Sequence, residues 1–473
     1  MSHVSTFLGR AGILGSTPFD FSRNPTLFVR LLLGLTQSSP RFLGFDETIR
    51  VVNGVRLVTV DDVEYRLLRC VFNSGAIRGR GTVCWSAVRA DDQTGTKYVI
   101  KDAWTLDTSR RHAEEDLLRR LHSIDGIPVL VGHTTVANGL DLHHCTKTVR
   151  QLLQGRDLSA VEDRVHKRIV TTPLARDLAD FNTKRELLHV LIDAVGIHRD
   201  MCAEKVLHRD VSAGNIMINT AAESSRKALL IDLDYAIVTE TLDNTEAGDG
   251  DLTASKGYRT GTFPFMAVDI LWGKPHEPCH DLESFIYVLV WICICYAGPN
   301  NTPRKGFTFK NKELDVWAGN SPSSLTFSNI GNIKVATFCC TGIFESQVLA
   351  HIHPYFDSLK PCLYDLQSLI QKQTLRRIPP ITHEMIETVL KKHMDQLPET
   401  EDNPAVAQRG VKRTHQHCSD DGLVQASLSG SRPTKAPSSP PAISASRRPA
   451  PPPTAAAAAS GRPHRAAKAP RAS

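Results

Sequence analysis

The sequence predicts an α+β protein of two lobes, a small antiparallel β lobe carrying one helix and a larger, mainly helical lobe. Three observations predict it. From Val51 to about Lys101, short runs rich in Val, Tyr and Leu (VRLVTV, YRLLRCVF, TVCWSAV, KYVIK) alternate with Gly, Asn and Asp, as strands joined by turns do. Lys184 to His198 places Leu187, Leu188, Leu191 and Val195 on one helical face. From about Trp272 to Met394 the pattern is again mainly helical, with irregular sequence around 300–323.

The elements follow in order. Residues 1–50 form an N-terminal extension expected to pack on the domain that follows, with Phe28 to Leu35 (FVRLLLGL) as its docking segment. The small lobe covers about 51–170, with a turn at Asp91–Gly95 and an amphipathic helix from Arg110 to Leu121 presenting Ala113, Leu117, Leu118 and Leu121. The large lobe covers about 171–397, and the link between lobes falls near Val170 to Leu178. In it, Ile216–Asn219 and Ala228–Ile231 form a hairpin across the polar stretch Thr220–Lys227. Phe285 to Ala297 is shorter than the roughly 20 residues a membrane crossing needs, so it reads as a buried core helix.

Composition separates the last segment from the rest. Of 473 residues, 401–473 hold eleven Lys/Arg against four acids, a net of +7, which leaves −1 for the 400 residues before them. That segment has no Phe, Trp or Tyr and holds eleven of the 27 prolines, so it cannot bury enough apolar surface to offset the entropy of ordering. Residues 398–473 are therefore expected to be a disordered basic tail, and any nucleic-acid contact would belong to it. The eleven cysteines are scattered, without a CxxC pair, a Cys/His ladder or a secretory signal. A reduced intracellular protein, cytoplasmic and/or nuclear, is expected, with no zinc motif and no membrane partner.

One run carries chemistry most specifically. His208-Arg-Asp-Val-Ser-Ala-Gly-Asn215 lies between the long helix and a strand, and its Asp-to-Asn spacing of five is that of a kinase catalytic loop. There Asp210 would orient or deprotonate a substrate hydroxyl, and Asn215 would hold magnesium. Asp232, at the end of the next hairpin, offers a second hard oxygen ligand to the same cation. Upstream, Gly79 and Gly81 in IRGRGTV would let backbone approach phosphates, Lys101 at a strand end would meet them, and Glu114 would pair with Lys101 in preference to Glu115. Val83 and Val99 complete the expected nucleotide-binding set. Downstream, Gly261-Thr-Phe-Pro-Phe-Met-Ala267-Val-Asp269 looks like the end of an activation segment, and Asp281 opens the apolar helix.

The wording VIKDAW, HRDVSAGNI, LIDLDYA, RTGTFPFMA and HDLESFIYVLVWI is similar to the fungal-type protein kinase family, over roughly Leu27 to Leu397. The resemblance implies the eukaryotic protein-kinase-like fold, ATP and Mg2+ as cofactors, and phosphoryl transfer to Ser/Thr hydroxyls of protein substrates. It gives His208, Arg209, Thr262, Asp269 and Asp281 supporting roles, with Asp281 accepting backbone N–H groups of the catalytic loop.

Three departures leave alternatives open. Ser212 stands where Ser/Thr kinases carry a lysine that contacts the transferred group, Asp232-Leu-Asp234 replaces Asp-Phe-Gly, and Cys84 stands where a third loop glycine is usual. A small-molecule kinase of the aminoglycoside or choline type and an ATP-binding pseudokinase scaffold are the competing readings. Lys256 or Arg259 could supply the missing cation; Thr253, Ser255 and Thr260 are candidate phosphosites for Arg209, and Arg376 or Arg377 are candidate partners of Asp269.

Overall fold

The chain is seen as a computed structural model. It describes residues 2–3, 6–10, 12–15, 18–38, 45–92, 94–107, 112–138, 142–143, 146, 162–239, 261–307, 312–317 and 326–399. The basic tail from 400 onward lies outside the described residues. So do Thr253, Ser255, Lys256, Arg259 and Thr260.

Seven antiparallel strands build the small lobe: β1 (Arg50–Val52), β2 (Val55–Val60), β3 (Val63–Asn73), β4 (Val83–Arg89), β5 (Tyr98–Leu106), β6 (Val129–Thr135) and β7 (Arg164–Thr172). Their spatial order is β6-β7-β5-β4-β3-β2-β1. Because side chains alternate across a strand, one face collects Val58, Val60, Tyr65, Leu67, Ala87, Ile100 and Val170 into a separate small core. Helix α2 is shorter than the sequence pattern suggests, running only over Glu114–Arg120, with Ala113 extended at its N-terminus (φ −70°, ψ 144°). Three acids, Glu114, Glu115 and Asp116, occupy its first turn, where the helix dipole favours negative charge.

The chain leaves the small sheet at Thr172 and enters the large lobe at Arg176, whose short strand pairs with Ile216–Ile218. Helix α3 (Lys184–Ala203) starts at Thr183, which accepts a hydrogen bond from the Glu186 amide at 3.0 Å. Its apolar face is buried, as the spacing predicts. The strands Ile216–Ile218 and Ala228–Leu230 pair as a hairpin. Helix α4 (Pro278–Cys295) is apolar all round because it runs through the core, with Val288, Leu289, Val290 and Ile292 buried. Later, α6 (Lys360–Thr374) packs against α4 and against α5 (Phe327–Cys339), while α7 (His383–Asp395) packs against α3 and α6.

In the N-terminal extension, helix α1 (Pro25–Gln37) contains the Phe28–Leu35 segment yet buries none of its residues. The extension touches the domain elsewhere. The Gly79 amide donates to the Arg10 carbonyl at 3.0 Å, and Asp46 and Thr48 reach the buried Arg168 on β7. Arg168 donates Nε to Asp102 at 2.8 Å, Nη1 to Thr48 at 2.9 Å and Nη2 to Asp46 at 2.5 Å. Its guanidinium fork thus satisfies two carboxylates from separate segments. Arg168→Ala leaves Asp102 to His166 and Asp46 to Thr48 without the buried cation between them, and should cost about 3–5 kcal/mol in urea unfolding, the loss typical of breaking a buried pair.

Candidate active site

The β4–β5 register places Cys84 opposite Lys101 and Ser86 opposite Val99, while Val83 lies opposite Asp102. Cross-strand partners share a face, so Cys84, Ser86, Val99 and Lys101 line one side of the sheet. Val83, expected to face a nucleotide, belongs to the other side with Asp102. The two-residue period of the strand is the reason.

Lys101 Nζ lies 2.6 Å from Glu114 Oε2 and 2.8 Å from Asp232 Oδ1. Asp234 Oδ2 is 3.3 Å from the same ammonium. Glu115, the neighbour that could have competed, instead meets Lys167 at 2.5 Å. Asp232 sits in left-handed backbone (φ 64°), a conformation costly for a residue with a Cβ and held here by its surroundings. A second cation enters from the glycine loop, whose Gly79 and Gly81 both have positive φ. Arg80 between them donates to Asp234 at 2.5 Å, approaches Asp232 at 3.3 Å, and stacks its guanidinium 4.7 Å from the centre of the Tyr235 ring.

Glu114, Asp232 and Asp234 bring carboxylate oxygens within 4.8 Å of one another, a donor set suited to a hard cation. Burial opposes ionisation of Asp232, yet Lys101 and Arg80 hold its carboxyl far below the usual range. Arg80 in turn, despite burial, is held firmly charged by Asp232 and Asp234.

Below this cluster lies the catalytic-loop sequence. Asp210 Oδ1 accepts from the Thr262 amide at 2.6 Å and the Thr262 hydroxyl at 2.8 Å. Burial, reinforced by the charge of Asp232 and opposed by Thr262, pushes the Asp210 carboxyl up to about 7. Asn215 donates its side-chain amide to the Asp210 carbonyl at 2.8 Å, and its own carbonyl accepts from the Ile231 amide at 3.0 Å, next to Asp232. His208 bonds through Nε2 to the Ile231 carbonyl at 3.1 Å, and burial keeps its imidazole neutral.

Asp281 holds the loop in shape. Its Oδ2 accepts from the Arg209 amide at 3.0 Å, where Arg209 has φ 66°. His198 reaches the same oxygen at 3.0 Å, and His276 reaches Oδ1 at 2.9 Å. Against the burial that would raise it, the imidazoles of His276 and His198 keep this carboxyl well below its ordinary value. Glycine is required at 261, where φ is 121° and a Cβ would come within 3.2 Å of the Arg209 carbonyl.

A family model described as fungal protein kinase matches residues 4–293. The chain belongs to that family. Among solved structures, one described as vaccinia related kinase 3 aligns at 13% identity with a TM-score of 0.44, over 76% of this chain and 95% of that one. No curated protein matches the chain.

In this kinase-family chain, all five residues expected to carry chemistry, Lys101, Glu114, Asp210, Asn215 and Asp232, fall within one connected network. Asp269 does not meet Arg376 or Arg377. It pairs with Lys274 at 2.8 Å and approaches His280 at 3.7 Å, both from the segment just after it. The end of the activation segment is fastened instead by two residues the sequence does not single out. Glu283 accepts from the Val268 amide at 3.0 Å, and the buried Lys334 donates to the carbonyls of Pro264 at 2.8 Å and Met266 at 2.7 Å. Spacing gives no signal for Lys334, because an isolated lysine on a helix ordinarily lies in solvent. Ser212 is only 3% exposed and extends no charge toward the site.

Asp281→Ala removes the acceptor of the Arg209 amide and of two imidazoles. Hydrogen exchange should show the Arg209 amide losing protection while the centre of α3 keeps its own.

Proposed function

We propose that this chain is an ATP- and magnesium-dependent kinase that transfers a phosphoryl group to Ser/Thr hydroxyls of proteins. The observation that carries the reading is Lys101, held between Glu114 on α2 and Asp232 beside the catalytic loop. A lysine fixed in this way is positioned for phosphate oxygens, and its partners tie both lobes to one point.

The residues present fit the cofactors. Three carboxylates, Glu114, Asp232 and Asp234, surround two cations, Lys101 and Arg80, which leaves one negative charge in excess. Burial, opposed by Lys101 and reinforced by Asp234 and Asp232, raises the Glu114 carboxyl above its ordinary value. Such a cluster is short of positive charge. Asp232 and Asn215 would hold the magnesium ion, which when bound neutralises charge on the nucleotide phosphates.

The remaining steps belong to this chain's own groups. Asp210, aimed by Thr262 and poised near neutrality, orients the acceptor hydroxyl and takes its proton. Asn215 fixes the backbone of Asp210, so the carboxylate need not reorganise during the reaction. Arg80 supplies the cationic character that Ser212 lacks. Protein rather than small-molecule acceptors are supported by residues 262–268. Glu283 and Lys334 brace this segment beside Asp210 as a platform along which an extended peptide can lie.

The test offers labelled ATP with magnesium, and either a generic basic protein or a panel of amino-alcohols. Label on serine and threonine of the protein, lost by about 10²–10⁴-fold in Asp210→Ala, is the expected result. Label on the amino-alcohols alone would favour a small-molecule kinase, and equal label in wild type and Asp210→Ala would leave a nucleotide-binding scaffold. Because kcat/KM reports the free enzyme, its acidic limb should rise with pH around a midpoint of about 7 as Asp210 loses its proton. Arg80→Met should lower kcat by about 10²–10³-fold, with partial recovery in Arg80→Lys.

A further inference from the structure

Behind the catalytic loop, on the face of Asp281 turned away from the phosphate site, the last turn of α3 meets the first residue of α7. His198 and Cys202 stand one helical turn apart on α3, and His383 opens α7. His198 Nδ1 lies 2.9 Å from His383 Nε2, and Cys202 Sγ lies 3.8 Å from His198 Nδ1. One ligand atom from each of the three residues falls within 4.8 Å of the others.

We propose that His198 Nδ1, Cys202 Sγ and His383 Nε2 form a zinc site. Bond lengths near 2.0–2.1 Å to nitrogen and 2.3 Å to sulfur at tetrahedral angles require about 3.3 Å between nitrogens and about 3.6 Å between nitrogen and sulfur. The observed nitrogen separation of 2.9 Å is shorter than this and the 3.8 Å to sulfur slightly longer; Cys202 Sγ is also 3.9 Å from His198 Nε2, so it lies over the imidazole face and has to turn toward Nδ1 to share an ion with it. The outer contacts agree. His198 turns its other nitrogen, Nε2, to Asp281 at 3.0 Å, the carboxylate–histidine arrangement that fixes the tautomer of a metal-bound imidazole.

Of the cations nearby, Arg199 is engaged by Glu387 at 2.5 Å and Arg226 by Asp200 at 2.5 Å. Cys202 and His383 are both partly exposed, which gives the ion a route in and leaves its fourth position to water. On binding, the Cys202 thiol gives its proton to solvent and coordinates as thiolate. Cysteine spacing cannot reveal such a site, because its third ligand comes from a helix distant in sequence. An ion here would stand one imidazole away from Asp281, and so would brace the backbone of Arg209.

The experiment uses the full chain stripped of metal, titrated with zinc, and with cobalt as a coloured substitute. The tail carries its own run His415, His417 and Cys418, so Cys418→Ser is included. The expected result is one tight equivalent of zinc, a thiolate-to-cobalt absorption band, and a zinc-dependent rise in unfolding temperature. All three should persist in Cys418→Ser, and the band should be lost in Cys202→Ser. Zinc affinity should fall at least about tenfold in His383→Gln, a change at a partly exposed helix end that leaves the core intact. Wild-type stoichiometry, affinity and cobalt band in both Cys202→Ser and His383→Gln, or loss of the band only in Cys418→Ser, would overturn the proposal.

Discussion

Lys101 leaves the middle of the small-lobe sheet with its ammonium buried, and a buried ammonium is tolerable only where carboxylates surround it. That requirement organises much of the molecule. Glu114 must come from α2, so the helix has to lie against the sheet with its acidic first turn inward. Asp232 must come from the hairpin that follows the catalytic loop, which draws the large lobe up to the small one. The glycine loop adds Arg80, and Asp234 balances it. Each partner is supplied by a different element, so the charge cluster fixes their mutual placement more tightly than apolar contact alone could.

From Asp232 the constraint passes downward through hydrogen bonds. Ile231 is tied to Asn215 and His208, Asn215 to Asp210, and Asp210 to Thr262. Asp281 closes the set from below by holding Arg209 in its left-handed conformation. The activation-segment end is then held from the far side by Glu283 and Lys334. Burial lowers the Lys334 ammonium from its ordinary value, opposed by the charge of Glu283, and the carbonyls of Pro264 and Met266 and the Tyr287 ring enclose it on three sides with groups that favour the charged form.

Most of this architecture is legible in the sequence because it depends on local periodicity and fixed spacing. The strands, the long α3, the hairpin and the Asp210–Asn215 interval all appear in the order and place the pattern dictates. What the sequence hides depends on geometry across distance. The side of the sheet taken by Val83 follows from strand register, which a glycine-loop pattern alone does not fix. Arg80 is in plain view between two glycines, but its role needs the positive-φ turn that points it at Asp234. The short α2 and the local partners of Asp269 show two further limits. Acidic residues can mark a helix start better than an apolar stripe, and a carboxylate often takes the cation nearest in sequence.

The claim that Lys101 and Asp232 organise the site is tested most directly by a double-mutant cycle on unfolding stability, with Lys101→Met, Asp232→Asn and the double variant. If the two groups depend on each other, the double variant loses less than the summed single losses, by about 1–3 kcal/mol. Losses that add to within about 0.5 kcal/mol would show that the pair is not coupled and would contradict the account.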